Sequence, residues 1–306
     1  GATNIYVNGG FRMLGTSGQP VVLTSWLDDT YGNPGDTNQD LATTQPAPGN
    51  WGGVHYNASA NDPYNTITYA RLRYGGSGCN CTYDHSNDFG VLDFINAGGN
   101  VQNSTLDFNW YGATFRGASN PVMNACTIEG SSKEPFGQFF EATPSLSNIT
   151  LGSQNNNNGI RLLTYVQGFD ASLQPGLING FGPVAYVTAG FTISPTATLT
   201  IQSGTAIKME GYDITVQGGL VAVGTPSSKI VFTSLNDDSV YGDTNNDGNA
   251  AQPAAGSWGS ITFAQGSLAG VNHLRHCRMN YGGAWFSTRG NVRFESTGGL
   301  VEDCSV

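Results

Sequence analysis

The chain is poor in charge: Lys, Arg, Asp and Glu make up only 11% of its 306 residues, with six Glu and four His in all. Long amphipathic helices are built from Glu, Lys and Arg, so this composition argues against a helical protein. No stretch keeps apolar residues at helical spacing over three turns, which speaks against βαβ units as well. Basic residues are the scarcer charge, 12 against 22 acidic ones, for a formal net charge of -10. Without a basic patch to neutralise phosphates, no nucleic-acid or anionic-membrane partner is expected, and cations are the better match. No run of 18 apolar residues is present, so no membrane insertion is expected. The opening GATNIYV has neither the positive segment nor the apolar stretch of a signal peptide, which places any targeting signal outside these residues.

Glycine is abundant, at 43 positions, and 38% of the chain is hydrophobic, with 15 Phe, 13 Tyr and 5 Trp. That is enough apolar surface for a core and excludes wholesale disorder. The length exceeds a usual compact domain, so the chain is expected to hold two domains or one elongated repetitive structure.

Self-comparison favours the repetitive structure. IYVNGGFRMLGTSGQPVVLTSWLDD from Ile5 realigns with ITVQGGLVAVGTPSSKIVFTSLNDD from Ile214, an offset of 209. GDTNQD from Gly35 then meets GDTNND from Gly242, and QPAPGNWGGVHY from Gln45 meets QPAAGSWGSITF from Gln252, at offset 207. Tyr74-Gly75-Gly76 matches Tyr281-Gly282-Gly283 at that offset, and FINAGGNVQNSTL from Phe94 meets FESTGGLVEDCSV from Phe294 at offset 200. The offset changes at Asn33-Pro34 and in the Gly, Ser, Asn and Cys stretch after Tyr74-Gly75-Gly76, as it does when turns between conserved strands vary in length. The apolar runs are short, β-branched and divided by Pro, Gly and Ser, and similar phrases recur roughly every 20–25 residues, the spacing of stacked β-helix coils rather than of a sandwich or propeller.

The segment from Leu199, LTIQSGTAIKMEGYDITVQGGLVAVGTPSSKIVFTSLNDDSVYGDTNNDGNAAQPAAGSWGSITF, resembles the right-handed parallel β-helix repeat proteins of microbial surfaces and secretions, within the pectate-lyase-like superfamily. The resemblance extends to the echo from Ile5 to Tyr56, whereas Trp110 to Phe191 shares only the texture. It implies an all-β fold, a right-handed parallel β-helix with two long Asp-rich loop insertions. Residues 1–306 are expected to form one continuous solenoid of about one and a half repeats, in phases 5–213 and 214–306. Roughly 12 turns, shortened by the insertions, are expected, with both insertions leaving the same edge.

Of the 16 Asp, eight lie in the two insertions, residues 28–40 and 237–248. Carboxylates packed this closely repel one another unless a cation or open solvent relieves them. Asp243-Thr244-Asn245-Asn246-Asp247-Gly248 has the alternating oxygen donors and turn glycine of the first half of an EF-hand loop. Hard oxygen ligands without His or Cys select calcium. The expected ligands are Asp237, Asp238, Asp243, Asn245 and Asp247, with Asp28, Asp29, Asp36, Asn38 and Asp40 forming a weaker counterpart. Two departures stand out: Ala254 occupies the twelfth loop position, where an EF-hand has Glu, and Leu41 stands where the other copy has Gly248. The alternative is a solvated acidic turn whose Asp and Asn cap the backbone.

Trp51-Gly52 and Trp258-Gly259 end the insertions, and each Trp is expected to anchor its loop rather than to offer a sugar platform. Catalytic candidates are few. Arg71, Arg73, Arg275 and Arg278 are expected on strands, where the related lyases carry an Arg base, but they precede Tyr-Gly-Gly or its copy and so mark a structural phase. His55, His85, His273 and His276 lack the Gly-His-Gly setting of the related polygalacturonases, and no Glu pair is spaced for acid and base work. Cys277 and Cys304 lie 27 residues apart, close to one coil, so they are placed to face each other; Cys126 has Cys79 or Cys81 as a conceivable partner, and buried thiols are the alternative. Sequons at Asn57, Asn80, Asn103 and Asn148 fit a glycosylated protein.

The expectation is thus a structural or adhesive β-helix of the extracellular space or cell surface, not an enzyme, stabilised by Ca2+. It associates end to end, with itself or with adjoining repeats, because each end of the rod would expose an uncapped coil. A polysaccharide-binding or polysaccharide-degrading β-helix is the alternative, with cell-surface polysaccharide as partner; ice or mineral binding is weaker, since no regular Thr-x-Thr array recurs once per coil.

Overall fold

A computed structural model describes residues 3–32, 35–78, 85–164, 166–283 and 290–306. The expected Cys79, Cys81 and sequon Asn80 lie outside these residues. The structure is all-β, with long all-parallel sheets stacked coil on coil, the arrangement of a parallel β-solenoid.

One sheet of ten strands runs from Asn4–Val7 to Cys277–Met279, every neighbouring pair parallel. The strand after each long-sheet strand belongs to a second side and the next to a third; each of those sides is two sheets of five strands, with the break near Leu151 and Val166. A short antiparallel pair, Leu177–Ile178 with Gly182–Pro183, projects just past this break.

The winding follows from side-chain alternation in each short strand. Inward positions of the long sheet stack in register as Ile5, Val54, Leu92, Ala113, Phe136, Ile160, Tyr186, Ile207, Phe232 and Met279. These join the one large hydrophobic cluster that fills the coils. Stacking brings like beside like, as where Tyr56 and Phe94 lie parallel with centroids 4.7 Å apart. Corners between the second and third sides are made by single residues in the left-handed region: Tyr69, Asn103, Ala125 and Asn148, at φ 47°, 49°, 52° and 51°. One such residue turns the chain sharply, and Asn tolerates the conformation best of the four.

Between Ile5 and Ile214 the chain makes seven full coils and one further side, so the sequence repeat is not a whole number of coils. The first Asp-rich insertion joins third-side strand Val21–Leu23 to long-sheet strand Gly53–Tyr56. The second joins long-sheet strand Ile230–Ser234 to second-side strand Ile261–Phe263. They leave opposite edges of the long sheet, and the expectation of a shared edge is overturned. Among the described residues the long sheet has ten strands.

Candidate metal centres

Each insertion opens with a tight turn at a serine: the N–H of Asp28 donates to the Ser25 carbonyl, and that of Asp237 to the Ser234 carbonyl. The first acid of each Asp pair is consumed there. Asp28 accepts from the Thr24 and Thr30 hydroxyls, the Thr30 N–H and the Arg73 guanidinium at 3.0 Å. Asp237 accepts from the Thr233 hydroxyl and from the hydroxyl and N–H of Ser239. Both are buried. Although desolvation works the other way, these donors hold both carboxyls below the ordinary carboxylate value. Asp28 and Asp237, expected among the ligands, make these bonds to the folded loop and lie outside the two carboxylate clusters.

The second acid of each pair faces the loop. Asp29 meets Asp36 and Asp40, and Asp238 meets Asp243 and Asp247, with one oxygen from each residue of a triad within 4.8 Å of the others. These two clusters can hold a metal ion. Within them, Asp243 accepts from the N–H groups of Asp247 and Gly248, and Asp36 from those of Asp40 and Leu41. Asp247 accepts from Ala250, Ala251 and the Asn245 amide; Asp40 accepts from Thr43, Thr44 and the Asn38 amide. The two loops thus share this set of carboxylate bonds. One oxygen of Asp29, one of Asp238 and the side-chain oxygen of Asn245 are shut off from solvent without any protein donor. Asn38 differs, since its oxygen accepts weakly from the Asp40 N–H at 3.4 Å. Desolvation, then the neighbouring carboxylates, raises the pKa of Asp29 and of Asp238, the response of an acid pressed against other acids.

Sequence reasoning missed a cation that sits under the second triad. Lys208 is fully buried in the long sheet and donates to the Gly242 carbonyl at 2.9 Å. Burial lowers its pKa to about 8 against the pull of Asp238, Asp237 and Asp243. The second loop also lies back along the sheet to the 155–158 turn, where the Asn158 N–H meets the Thr244 carbonyl and the Asn246 amide meets the Asn155 carbonyl.

The tryptophans anchor their loops. Trp258 is fully buried and its indole N–H donates to the Asn280 carbonyl at 2.7 Å; half-buried Trp51 donates to the Arg73 carbonyl at 2.6 Å. All four candidate arginines lie on strands. Arg73 bridges Asp28 and Asp107, Arg71 pairs with Asp107, and Arg275 lies 3.3 Å from Asp303. His55 pairs with Asp93, His85 with Asp88, and His273 with Glu302. A further network went unforeseen: buried Arg161 holds buried Glu134 at 2.6 Å and also Glu210. No local spacing announces it, because 134, 161 and 210 meet only through the stacking of coils.

Compared with known protein families, curated proteins and solved structures, the chain matches none.

Proposed function

We propose that this chain is a calcium-stabilised structural segment of a right-handed β-helical rod, acting in adhesion or scaffolding at the cell surface or outside the cell. All-oxygen donors in a loop of half EF-hand order suit calcium better than a transition metal, and parallel strands with crossovers are right-handed in the great majority of cases.

The observation that carries the rod reading is the first coil's outer end. There Ile5, Leu23, Trp26, Tyr31, Thr37 and Trp51 line an open hollow of about 570 Å³. Of their repeat equivalents, Ile214, Phe232, Val240, Thr244 and Trp258 are buried and Leu235, the counterpart of Trp26, is half-buried; the coil Ala206–Met209 lies against that copy, with Ala206 packed on Val240 and Lys208 bonded to Gly242. The same surface, built from the same phase, is covered in one copy and open in the other. A further coil, from an adjoining repeat or a second copy of the chain, suits it.

Placing the chain's own residues 183–213 ahead of Ile5 tests this, since 213 runs into 214 at the equivalent phase. The extended chain is expected to melt higher and to shift Trp26 and Trp51 emission to the blue. Unchanged melting and emission would remove the stacking reading. Light scattering of the unextended chain then reads whether copies of it associate end to end.

A further inference from the structure

Cys277 and Cys304 each follow a corner residue in the left-handed region, His276 at φ 47° and Asp303 at φ 51°. Register holds on both sides of them, with Arg275 opposite Glu302 and Arg278 opposite Ser305. The two cysteines therefore face each other across one strand spacing, about 4.8 Å, within the roughly 4.4–6.8 Å between Cα atoms that a disulfide spans. Both are thiols here; Cys277 is fully buried, Cys304 half-buried, and the Cys277 N–H points at the Cys304 sulfur at 3.4 Å.

The first copy shows what the fold itself needs at these places. Ala70 and Ser104 hold the same positions; the Ala70 N–H donates to the Ser104 hydroxyl at 3.1 Å, and that hydroxyl donates to the Gln102 carbonyl at 2.7 Å. The Cys304 thiol repeats the second bond, to the Glu302 carbonyl at 3.1 Å. A methyl and a hydroxyl suffice for the corner, so the backbone does not call for two stacked sulfurs. Cys126 continues the first copy's stack between Ser104 and Ile149, with no thiol on either side.

We propose that Cys277 and Cys304 form an oxidation site, closing to a disulfide that ties the last described coil to the one before it. The step needs a disulfide-class oxidant such as oxidised glutathione. The more accessible Cys304 thiolate attacks one sulfur of the oxidant, a mixed disulfide forms and one thiolate leaves. Cys277 then attacks the Cys304 sulfur and expels the second thiolate; the two cysteine protons end on the two released thiols, and the two electrons reduce the oxidant. Burial, then the adjacent Cys304, pushes the Cys277 thiol up to about 12, which leaves the first attack on the oxidant to Cys304. The tie acts on a coil that is thinly covered: its Phe294, Leu300 and Val301 are exposed. Closing this loop restricts the unfolded chain.

The inference is independent of calcium and of end-to-end stacking. The full chain, incubated with oxidised glutathione, is expected to become lighter by two hydrogens, to yield a Cys277–Cys304 linked peptide, and to melt several degrees higher, with Cys126 still alkylatable after unfolding. C277A and C304S copy Ala70 and Ser104, so both are expected to fold and to lose the linked peptide and the melting shift. If Cys277 and Cys304 stay separately alkylatable after oxidation, or link instead to Cys79 or Cys81, the proposal is overturned.

Discussion

Ile5 and Ile214 begin the two copies of the repeat, yet Ile5 pairs with Val54 in the ten-stranded sheet while Ile214 pairs with Phe191 and Ile261 in a five-stranded one. The insertion that follows each copy nevertheless folds with the same bonds, Asp36 to the 40 and 41 N–H groups and Asp243 to those of 247 and 248. Loop geometry is therefore written locally, in the Asp, Thr and Asn of the insertion, and does not depend on which side of the solenoid carries it.

Asp237 and Asp238 are adjacent in sequence, but the first is capped by the loop and the second faces the acidic cluster. Asp237→Asn removes an acceptor from buried hydroxyl and N–H donors, a loss of about 1–3 kcal/mol, with calcium still raising the melting temperature. Asp238→Asn takes a charge from the triad: it leaves the calcium-free protein as stable or more so and abolishes most of the calcium shift. The sign follows from the raised pKa of Asp238, which makes its ionised form costlier in the folded chain, so calcium-free stability from this group falls as pH rises past the ordinary carboxylate value. Differential scanning calorimetry with calcium and with chelator separates the two variants; identical behaviour would refute the division of roles.

Arg161 neutralises two acids at once, so Arg161→Met strands buried Glu134 and is expected to cost about 3–5 kcal/mol. Adding Glu134→Gln returns part of that loss, which a double-mutant cycle by urea denaturation reads directly.

The same network sets an acid limit. Burial opposes ionisation of Glu210, but Arg161 outweighs it and holds the carboxyl below its ordinary value of 4.5. Its contribution is thus complete above that value and is lost as pH falls through the depressed one. Glu210→Gln flattens the acid limb of the stability profile while lowering the neutral plateau; an unchanged acid limb would assign the sensitivity elsewhere.

Strand spacing, the repeat and the two acidic clusters were legible because each is a local pattern. Thr24 and Thr30 around Asp28, echoed by Thr233 and Ser239 around Asp237, were a readable sign that the first acid of each pair is capped, and it was passed over. The opposite-edge placement was not readable: coils between Trp110 and Phe191 share no phrase by which to count them. Corners were hidden too, since Tyr69, Asn103, Ala125 and Asn148 share a backbone conformation and no side-chain type.

Leu41 is the poorest fit in the first loop. It sits at φ 56° with 91% of its surface exposed, where the second loop has Gly248 at φ 64°. A non-glycine residue there costs about 1–2 kcal/mol, partly offset by the extra freedom glycine has when unfolded. Leu41→Gly is expected to stabilise by about 0.5–1 kcal/mol, and Gly248→Leu to destabilise by about as much. A Cβ at 248 meets no atom within 4 Å, so no clash at Cβ adds to the backbone effect there.

The two tryptophans make the last comparison. Trp258 is enclosed by its loop and by stacked coils, so Trp258→Ala opens a cavity and frees the Asn280 carbonyl, at about 3–5 kcal/mol. Trp51 has the same indole bond to a strand carbonyl but borders the open hollow at the first coil, and Trp51→Ala is expected to cost roughly half as much. If a further coil belongs on that hollow, the difference is one of cover and not of chemistry. In the chain extended by its own residues 183–213, the Trp51→Ala loss should therefore rise toward that of Trp258→Ala. Equal losses for Trp51→Ala with and without the extension would show that the added coil does not seat there.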